Sequence, residues 1–413
     1  MNIGADTASA ISLAVAALGP GPLREESVAQ HVAPLFSRVL DEYRRNAYFA
    51  NHSLGRPLDA TAHDVAEAVS LWQTRLGDAW DAWSAEIAAY RGRLARLLNA
   101  PRADCVVPKT SAGQGLRTIL NSYDGVPRVV ATRGEFDSID VILRQYALRG
   151  RISLRLIEAR GHGLFESGDL FDAIGAGADL VVVSHVLFTT GQVLPRLAET
   201  IAAAHRAGAR VLVDVYHSLG VFPVDIASLD ADFAVGGSYK YLRGGPGAAY
   251  LYLHPRHLDG SMKPLDIGWF AKTDVFQYRR PDPPEFGAGG DAFLESTPPV
   301  LTYYQARAGQ LFTLAIGVER LREYSLSQQR LLVSLLERHG IAARGGSEDR
   351  GAFVVVSFED HANDAATRCA RSLGSRGVIC DARGPWLRLC PDVLTGAAEI
   401  ERAAETLAEV VRV

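Results

Sequence analysis

The chain has 413 residues, 48% of them hydrophobic, and a formal net charge of −4. This length can bury a large core and favours two domains over one. The slightly acidic balance offers no basic surface for nucleic acid or anionic membranes. No apolar run approaches the roughly 20 residues that span a bilayer, and no Lys or Arg precedes the short apolar stretch at 8–18. We therefore expect neither a membrane span nor a signal peptide.

Cysteine usage indicates the compartment. The four cysteines, Cys105, Cys369, Cys380 and Cys390, show neither CxxC spacing nor the density of a disulfide scaffold. This usage is typical of a reducing compartment, so we predict a cytoplasmic protein. We also predict that the protein has no metal site.

The first 100 residues predict helices around one short strand. Helical spacing covers 25–45 and 64–98, and the tryptophans Trp72, Trp80 and Trp83 in the second stretch form an aromatic stripe typical of packing. Between the two stretches, residues 48–57 predict a short strand that runs into a Gly-Pro turn.

The middle of the chain alternates strands with helices. Apolar strands are predicted near 106–109, 129–132, 180–184 and 211–214, which indicates a mostly parallel sheet with helices on both faces. Ligands of such sheets bind at the carboxyl ends of the strands, where Thr110, Asp214 and Lys240 lie. Thr110 and Ser111 open a helix and could form an anion cradle, although a plain capping turn explains them equally well.

The strongest chemical signal lies in residues 211–253. Asp214 ends one apolar strand, and Ser238-Tyr239-Lys240 follows the next one and precedes a glycine-rich turn. A lysine amine can form a Schiff base with pyridoxal phosphate, and a carboxylate can pair with its pyridinium nitrogen so that the ring acts as an electron sink. A lone Asp or Lys at a strand end is more commonly a cap or a solvated residue. The complete string favours the cofactor.

The pattern changes from about residue 301. A long helix to about 339 precedes a smaller unit with strands near 353–358 and 378–380, a helix near 362–373 and a last helix from Ala397. We predict three parts: an N-terminal segment at 1–60 that contributes to the active site, a large cofactor-binding domain at 61–300 and a small C-terminal domain at 301–413.

These motifs resemble the kynureninases, which are fold-type I pyridoxal-phosphate enzymes of the class V aminotransferase group. The resemblance runs from about residue 48 to the last helix and implies an α/β fold, in which helices sandwich a mostly parallel seven-stranded sheet beside a small C-terminal α+β domain. It also implies a homodimer with an active site shared between subunits. The matching segments are 214–217, 232–234, 238–242, 268–270, 295–299, 380–383 and 386–391.

The resemblance also implies roles for individual residues. Phe136 is the candidate for stacking on the pyridine ring, although a core phenylalanine is an equal interpretation. Arg388 would bind the α-carboxylate of an amino-acid substrate, since a guanidinium fits a carboxylate bidentately. The other implied residues are catalytic Lys240, Asp214 and His217, cofactor-binding Thr110, Ser111, Tyr239, Trp269 and Thr297, and substrate-binding Asn51, Ser53 and Phe270.

Residues 51–55 resemble the Asn-Ser-Leu-Gly segment of kynureninases, but His52 lies between Asn51 and Ser53. Two further departures from the family bear on the substrate: residues 77–83 lack a histidine that the family carries there, and Thr297 replaces an asparagine. The implied reaction is hydrolytic Cβ–Cγ cleavage of kynurenine or a related β-acyl amino acid.

Transamination, epimerisation, oxidative deamination or another elimination on the same scaffold are alternatives. A cysteine desulfurase is less favoured because Cys380, the candidate nucleophile, reads as part of a strand. A catalytically silent binding protein is disfavoured because Lys240, Asp214 and Arg388 are all present.

Overall fold

The computed structural model describes residues 3–412. Strands occur in three sheets. They are β1 (Ala47–Tyr48), β2 (Val106–Lys109), β3 (Arg128–Thr132), β4 (Ser153–Ile157), β5 (Leu180–Ser184), β6 (Arg210–Asp214), β7 (Phe233–Gly237), β8 (Ala249–Leu253), β9 (Ala343–Arg344), β10 (Val354–Ser357), β11 (Val378–Ile379), β12 (Asp381–Arg383) and β13 (Trp386–Leu389).

Helices cover both faces of the large sheet. A π-helical turn (Val28–Val32) and a 3-10 turn (Ala33–Phe36) connect the second helix to the third. The helices are α1 (Ile3–Ala17), α2 (Glu25–Ser27), α3 (Ser37–Glu42), α4 (Ala60–Arg75), α5 (Ala79–Leu97), α6 (Ala112–Leu120), α7 (Asp137–Leu148), α8 (Ser167–Gly175), α9 (Leu197–Arg206), α10 (Ile226–Leu229), α11 (Val300–Ile316), α12 (Val318–Arg338), α13 (Ala365–Ser375) and α14 (Ala397–Val411).

The large sheet has seven strands in the order β2-β8-β7-β6-β5-β3-β4. Strand β8 alone runs against the other six, since it pairs antiparallel with both neighbours while the remaining pairs are parallel. The central strands are continuous apolar runs because helices cover both faces. Alternate residues of β5 enter different cores: Val181 and Val183 one, Leu180 and Val182 the other. The predicted mostly parallel sheet is confirmed.

Several predicted elements differ in detail. The single helix predicted over 64–98 divides into α4 and α5 at Leu76, whose φ of 49° interrupts the helix. The long helix predicted from 301 divides at Gly317, where φ is 91°. Strand β4 was not predicted, because it lies at the edge of the sheet and mixes Ser153 and Arg155 with apolar residues.

A smaller antiparallel sheet in the C-terminal part has the order β12-β13-β10-β9. It packs with α12, α13 and α14 around a core that includes Leu332, Val354, Leu373 and Leu407. Strand β1 pairs in parallel with β11, and Phe49 enters the same core. The predicted C-terminal α+β unit is therefore present. The boundaries 1–60, 61–300 and 301–413 stay a prediction, and residues 1, 2 and 413 lie outside the described part.

Membrane and metal sites were searched for between residues 3 and 412. Over that range no helix is both long and apolar enough to cross a membrane. No group of three or more His, Cys, Asp or Glu residues in the same part of the chain could hold a metal ion.

Candidate active site

Lys240 lies in the turn after β7, at the carboxyl edge of the large sheet. Its side chain is buried, and Nζ lies 2.5 Å from Nε2 of His217. Burial lowers the pKa of the Lys240 amine, because a charged ammonium loses its hydration there; nearby Asp214 opposes this shift. The fold thus favours a neutral, nucleophilic amine at this strand end.

Aromatic rings surround this amine. Nζ of Lys240 lies 5.2 Å from the ring centroid of Phe136, 5.1 Å from that of Tyr216 and 5.6 Å from that of Tyr239. Phe136 immediately precedes α7, and its ring contacts that of Phe188 edge to face at 5.3 Å between centroids. The half-buried ring of Phe136 therefore faces the lysine pocket.

Asp214 ends β6, beside Ser184 of β5 and Val235 of β7 in the sheet register. Its Oδ1 accepts a hydrogen bond of 2.8 Å from the backbone N–H of Tyr216. Burial raises the pKa of Asp214, and the charge of Lys240 opposes that shift. A buried carboxylate with an unfavourable charge is suited to pairing with a cation in the pocket.

His217 lies in the turn that follows β6. Burial, and then the charges of Lys240 and Arg388, lower the pKa of its imidazole. Its Nδ1 is buried and has no hydrogen-bond partner within residues 3–412. This polar atom remains available to a ligand.

Glu135 is a buried acid next to the pocket that the sequence reasoning did not select. Its carboxylate oxygens accept hydrogen bonds of 2.6 Å from the hydroxyls of Thr132 and Ser184. Burial raises its pKa to about 7. The signal was its position just after β3, next to the candidate Phe136.

Arg388 reaches the same region from the smaller sheet. It lies on β13 opposite Asp381 of β12, and its Nε and one terminal nitrogen donate to the two Asp381 oxygens at 2.9 Å and 2.7 Å. The other terminal nitrogen donates to the carbonyl oxygen of Phe188. The positive charge of Arg388 contributes to the lowered pKa of Lys240. The guanidinium therefore lies within electrostatic range of the amine.

Residues 51–55 connect the Asp381–Arg388 pair of the smaller sheet to the turn that carries Lys240. His52 Nε2 lies 2.7 Å from one Asp381 oxygen, and Ser53 Oγ donates to the other at 2.5 Å. The backbone N–H of Gly55 donates to the carbonyl oxygen of Tyr239 at 2.9 Å. Asn51 instead uses its side-chain amide to donate to backbone carbonyls, including that of Cys390 at 3.0 Å.

Thr110 and Ser111 form a capping turn. Ser111 Oγ accepts a hydrogen bond of 3.1 Å from the N–H of Gln114, and so caps α6. The backbone N–H and the hydroxyl of Thr110 donate to the Gln114 side chain at 2.6 Å and 3.0 Å. The capping interpretation therefore holds, while the phosphate cradle stays a prediction.

Thr297, Trp269 and Phe270 lie with this turn rather than with Lys240. The indole nitrogen of Trp269 donates to Thr297 Oγ1 at 3.2 Å. Thr110, Phe270 and Thr297 line one groove of about 200 Å³. No hydrogen bond or ring contact among the described residues joins this groove to the pocket around Lys240. The predicted site residues thus form two groups within one chain.

The lysine pocket fits pyridoxal phosphate. It offers a buried amine for the aldehyde, a buried carboxylate for the ring nitrogen and an aromatic ring in Phe136. Nδ1 of His217, which has no hydrogen-bond partner in the described part of the chain, adds a polar group that a ligand can bind.

Sequence comparisons agree with this fit. The aminotransferase class-V family profile matches residues 66–384. A kynureninase of Salinispora tropica is 28% identical over 397 residues, which are 90% of this chain and 91% of that protein. A kynureninase of Pseudomonas fluorescens is 29% identical over 356 residues, or 82% of each chain.

Solved structures show the same fold. The cystine C–S lyase C-DES, in complex with its product cysteine persulfide, superposes with a TM-score of 0.80 at 22% identity and covers 90% of this chain and 99% of its own. A C-DES variant with glycine covalently linked to its PLP cofactor gives a TM-score of 0.81 at 21% identity, covering 91% and 98%. A cysteine desulfurase of Thermococcus onnurineus gives 0.75 at 18% identity, covering 90% and 98%. This chain belongs to the aminotransferase class-V family and is a pyridoxal-phosphate-dependent enzyme of fold type I.

Proposed function

We propose that the protein hydrolyses the Cβ–Cγ bond of kynurenine or a related β-acyl amino acid. Water adds to the γ-carbonyl, the Cβ–Cγ bond breaks, and the products are alanine and the carboxylic acid derived from the acyl group. The observation that carries this choice is the similarity to kynureninases over 90% of the chain. The geometry around Lys240 supports the individual roles.

Lys240, Asp214 and His217 would perform the proton chemistry. Bound pyridoxal phosphate supplies an electron sink for negative charge at the substrate α-carbon. Lys240 would hold the cofactor covalently and later remove and return protons as general base. Asp214 would keep the pyridine nitrogen protonated, and that cation would in turn favour its ionised form. His217, 2.5 Å from the Lys240 amine, would orient that amine through a hydrogen bond.

Arg388 would bind the α-carboxylate of the substrate. Its buried guanidinium lies within electrostatic range of Lys240 and is held by Asp381. Fixing the carboxylate determines which bond at the α-carbon lies perpendicular to the cofactor ring. Asn51, Ser53 and Phe270 would contribute to the substrate side.

The second group of residues supports a shared site in a homodimer. We propose that Thr110, Ser111, Tyr239, Trp269 and Thr297 hold the cofactor and its phosphate, with Phe136 stacked on the ring. Thr110, Ser111 and Thr297 are exposed in the single chain. A second subunit packed against their groove would bury the phosphate and complete the site. We also propose the three-part division at residues 60 and 300, and the cytoplasm as the compartment, from the cysteine usage.

Sulfur transfer through Cys380 is less consistent with the structure. Its side chain is half-buried between β11 and β12, and burial raises the pKa of the thiol far above its usual range. A nucleophilic cysteine needs the opposite shift. The alternatives that remain are transamination, epimerisation, oxidative deamination or another elimination at the same lysine.

The test is to incubate cofactor-loaded protein with L-kynurenine or 3-hydroxy-L-kynurenine and to follow alanine and the matching aromatic acid by mass spectrometry. We expect both products from the wild type and neither from Lys240→Ala. Retained turnover in Lys240→Ala would overturn the role of that residue.

A further inference from the structure

The arginine proposed to bind the substrate carboxylate already holds a carboxylate of its own chain. Asp381 is the cross-strand neighbour of Arg388, and its carboxylate accepts hydrogen bonds from Nε–H and from one N–H of a terminal nitrogen. The carbonyl oxygen of Phe188 accepts a hydrogen bond from one N–H of the other terminal nitrogen. A guanidinium has five N–H donors. Two donors therefore remain, one on each terminal nitrogen, which is the set that a single further carboxylate takes bidentately.

Asp381 is in turn held by four donors. Nε of Arg388 and Nε2 of His52 share one oxygen, and the terminal nitrogen of Arg388 and Oγ of Ser53 share the other. Burial by itself would raise the pKa of Asp381, but the hydrogen bond from His52 and the Arg388 guanidinium hold it well below its usual range. The carboxylate is consequently ionised and fixed in position.

His52 is a buried hydrogen-bond donor to Asp381, and its protonation state determines which ring nitrogen donates. It is fully buried, and its ring lies 5.0 Å from that of Phe353. Burial, and then the charge of Arg388, lower the pKa of His52 to about 4, so the imidazole is neutral near pH 7. Its Nε2 must then carry the proton that Asp381 accepts. The same short segment bonds the backbone next to Lys240 through Gly55 and Tyr239.

We propose that Asp381 is a positioning residue that, together with His52 and Ser53, orients Arg388 and thereby lets the site select amino acids over the corresponding amines. This inference rests on the role given to Arg388 under the proposed function. It adds that residues 51–55 couple the carboxylate-binding guanidinium to the lysine turn, because they bond Asp381 at one end and the Tyr239 carbonyl at the other.

The experiment compares L-alanine with ethylamine, which lacks only the carboxylate. Binding of each to the cofactor-loaded protein is followed by the change in cofactor absorbance. The dissociation constant of ethylamine divided by that of L-alanine measures the selectivity for the carboxylate. We expect Asp381→Ala to lower this ratio by about 10-fold or more, as loss of a charged hydrogen-bonded partner does. The ethylamine constant should stay within about 3-fold of the wild-type value, since the amine does not use Arg388.

Smaller changes keep the test informative if Asp381→Ala does not fold. His52→Leu removes one donor without touching the β12–β13 pair and should lower selectivity several-fold, whereas His52→Gln, which retains an N–H donor, should restore it. Asp364→Ala is the matched control, because Asp364 also pairs with an arginine, Arg368, but on the exposed surface of α13. It should leave the ratio unchanged.

The outcomes separate the inference from the function on which it rests. Unchanged selectivity in Asp381→Ala and in His52→Leu, together with a loss in Arg388→Met, would overturn the positioning role alone. Unchanged selectivity in Arg388→Met would overturn the carboxylate role of Arg388 as well. Neither result depends on whether the wild type cleaves kynurenine.

Discussion

The amine nitrogen of Lys240 and Nε2 of His217 lie 2.5 Å apart, and both side chains are buried. Burial lowers the pKa of each, so the pair does not hold two positive charges together. The short distance lets the two groups share one hydrogen bond, and a proton bound by the pair resides on the Lys240 amine because the pKa of His217 is lowered well below its usual value. The arrangement places a hydrogen-bond acceptor directly next to the residue that would form the covalent bond to the cofactor.

Removing this acceptor should slow the reaction while leaving the fold intact. We expect His217→Ala to lower kcat by about 10²-fold, as misplacement of a reacting group does. Steady-state kinetics on the cofactor-loaded protein measure this. His162→Ala, which changes an exposed histidine paired with Glu359, serves as the control. A kcat of His217→Ala equal to that of the control would show that His217 has no part in orienting the Lys240 amine.

Asp214 should matter through its charge. Asp214→Asn is close to isosteric but cannot stabilise a protonated pyridine nitrogen, so we expect kcat to fall by about 10²-fold or more, as for loss of a preorganised electrostatic group. Cofactor content, measured by absorbance after dialysis, should fall much less. Full activity in Asp214→Asn would contradict the pairing with the ring nitrogen.

Glu135 makes stability depend on pH. Its pKa is raised from 4.5 to about 7 in the folded protein, so the folded state binds more protons than the unfolded state between these values. The stabilisation is complete below pH 4.5 and is lost as the pH rises through 7.

Glu135→Gln removes this dependence. The free energy of unfolding of the variant minus that of wild type should be up to about 3 kcal/mol larger at pH 8 than at pH 4.5, so the variant gains stability relative to wild type as the pH rises. Chemical denaturation of the two proteins at both pH values measures the difference. A difference that does not change with pH would mean that Glu135 titrates normally.

Gly55 is required where residues 51–55 meet the lysine turn. A Cβ at this position would lie 1.9 Å from the carbonyl oxygen of Lys240. Backbone must therefore move in Gly55→Ala, and we expect a loss of about 1–3 kcal/mol in the free energy of unfolding, as for overpacking, together with a clear drop in kcat/KM.

Gly77→Ala is the matched control, since a Cβ at Gly77 meets nothing within 4 Å. Denaturation midpoints and kinetics of the two variants are compared side by side. If Gly55→Ala behaves like Gly77→Ala, the close contact between this segment and the lysine turn is not important.

The sequence was most informative where chemistry follows a local pattern. Asp214 and Lys240 could be selected because each follows an apolar strand, and parallel strands bring their carboxyl ends to one edge. The mostly parallel sheet followed from the alternation of strands and helices. The edge strand β4 was not predicted from the sequence because part of it is exposed to solvent.

Other features depend on contacts that are distant in sequence. Asp381 and His52 are in contact although they lie 329 residues apart in the sequence, and no local periodicity predicts such a contact. Arg388 was selected only through the family resemblance, and its pairing with Asp381 needed the register of β12 and β13. Likewise, the groove that Thr110 lines with Phe270 and Thr297 brings together segments that are distant in sequence, which motif spacing does not reveal.

The measurement that tests the central claim most directly is turnover of L-kynurenine in ¹⁸O-labelled water by the cofactor-loaded protein. Hydrolytic Cβ–Cγ cleavage predicts equal amounts of alanine and aromatic acid, with one labelled oxygen in the carboxyl group of the aromatic acid and none transferred to alanine. Lys240→Ala should form neither product. If the wild type consumes L-kynurenine without releasing alanine, or leaves it unchanged while the cofactor is bound, the proposed hydrolysis is wrong.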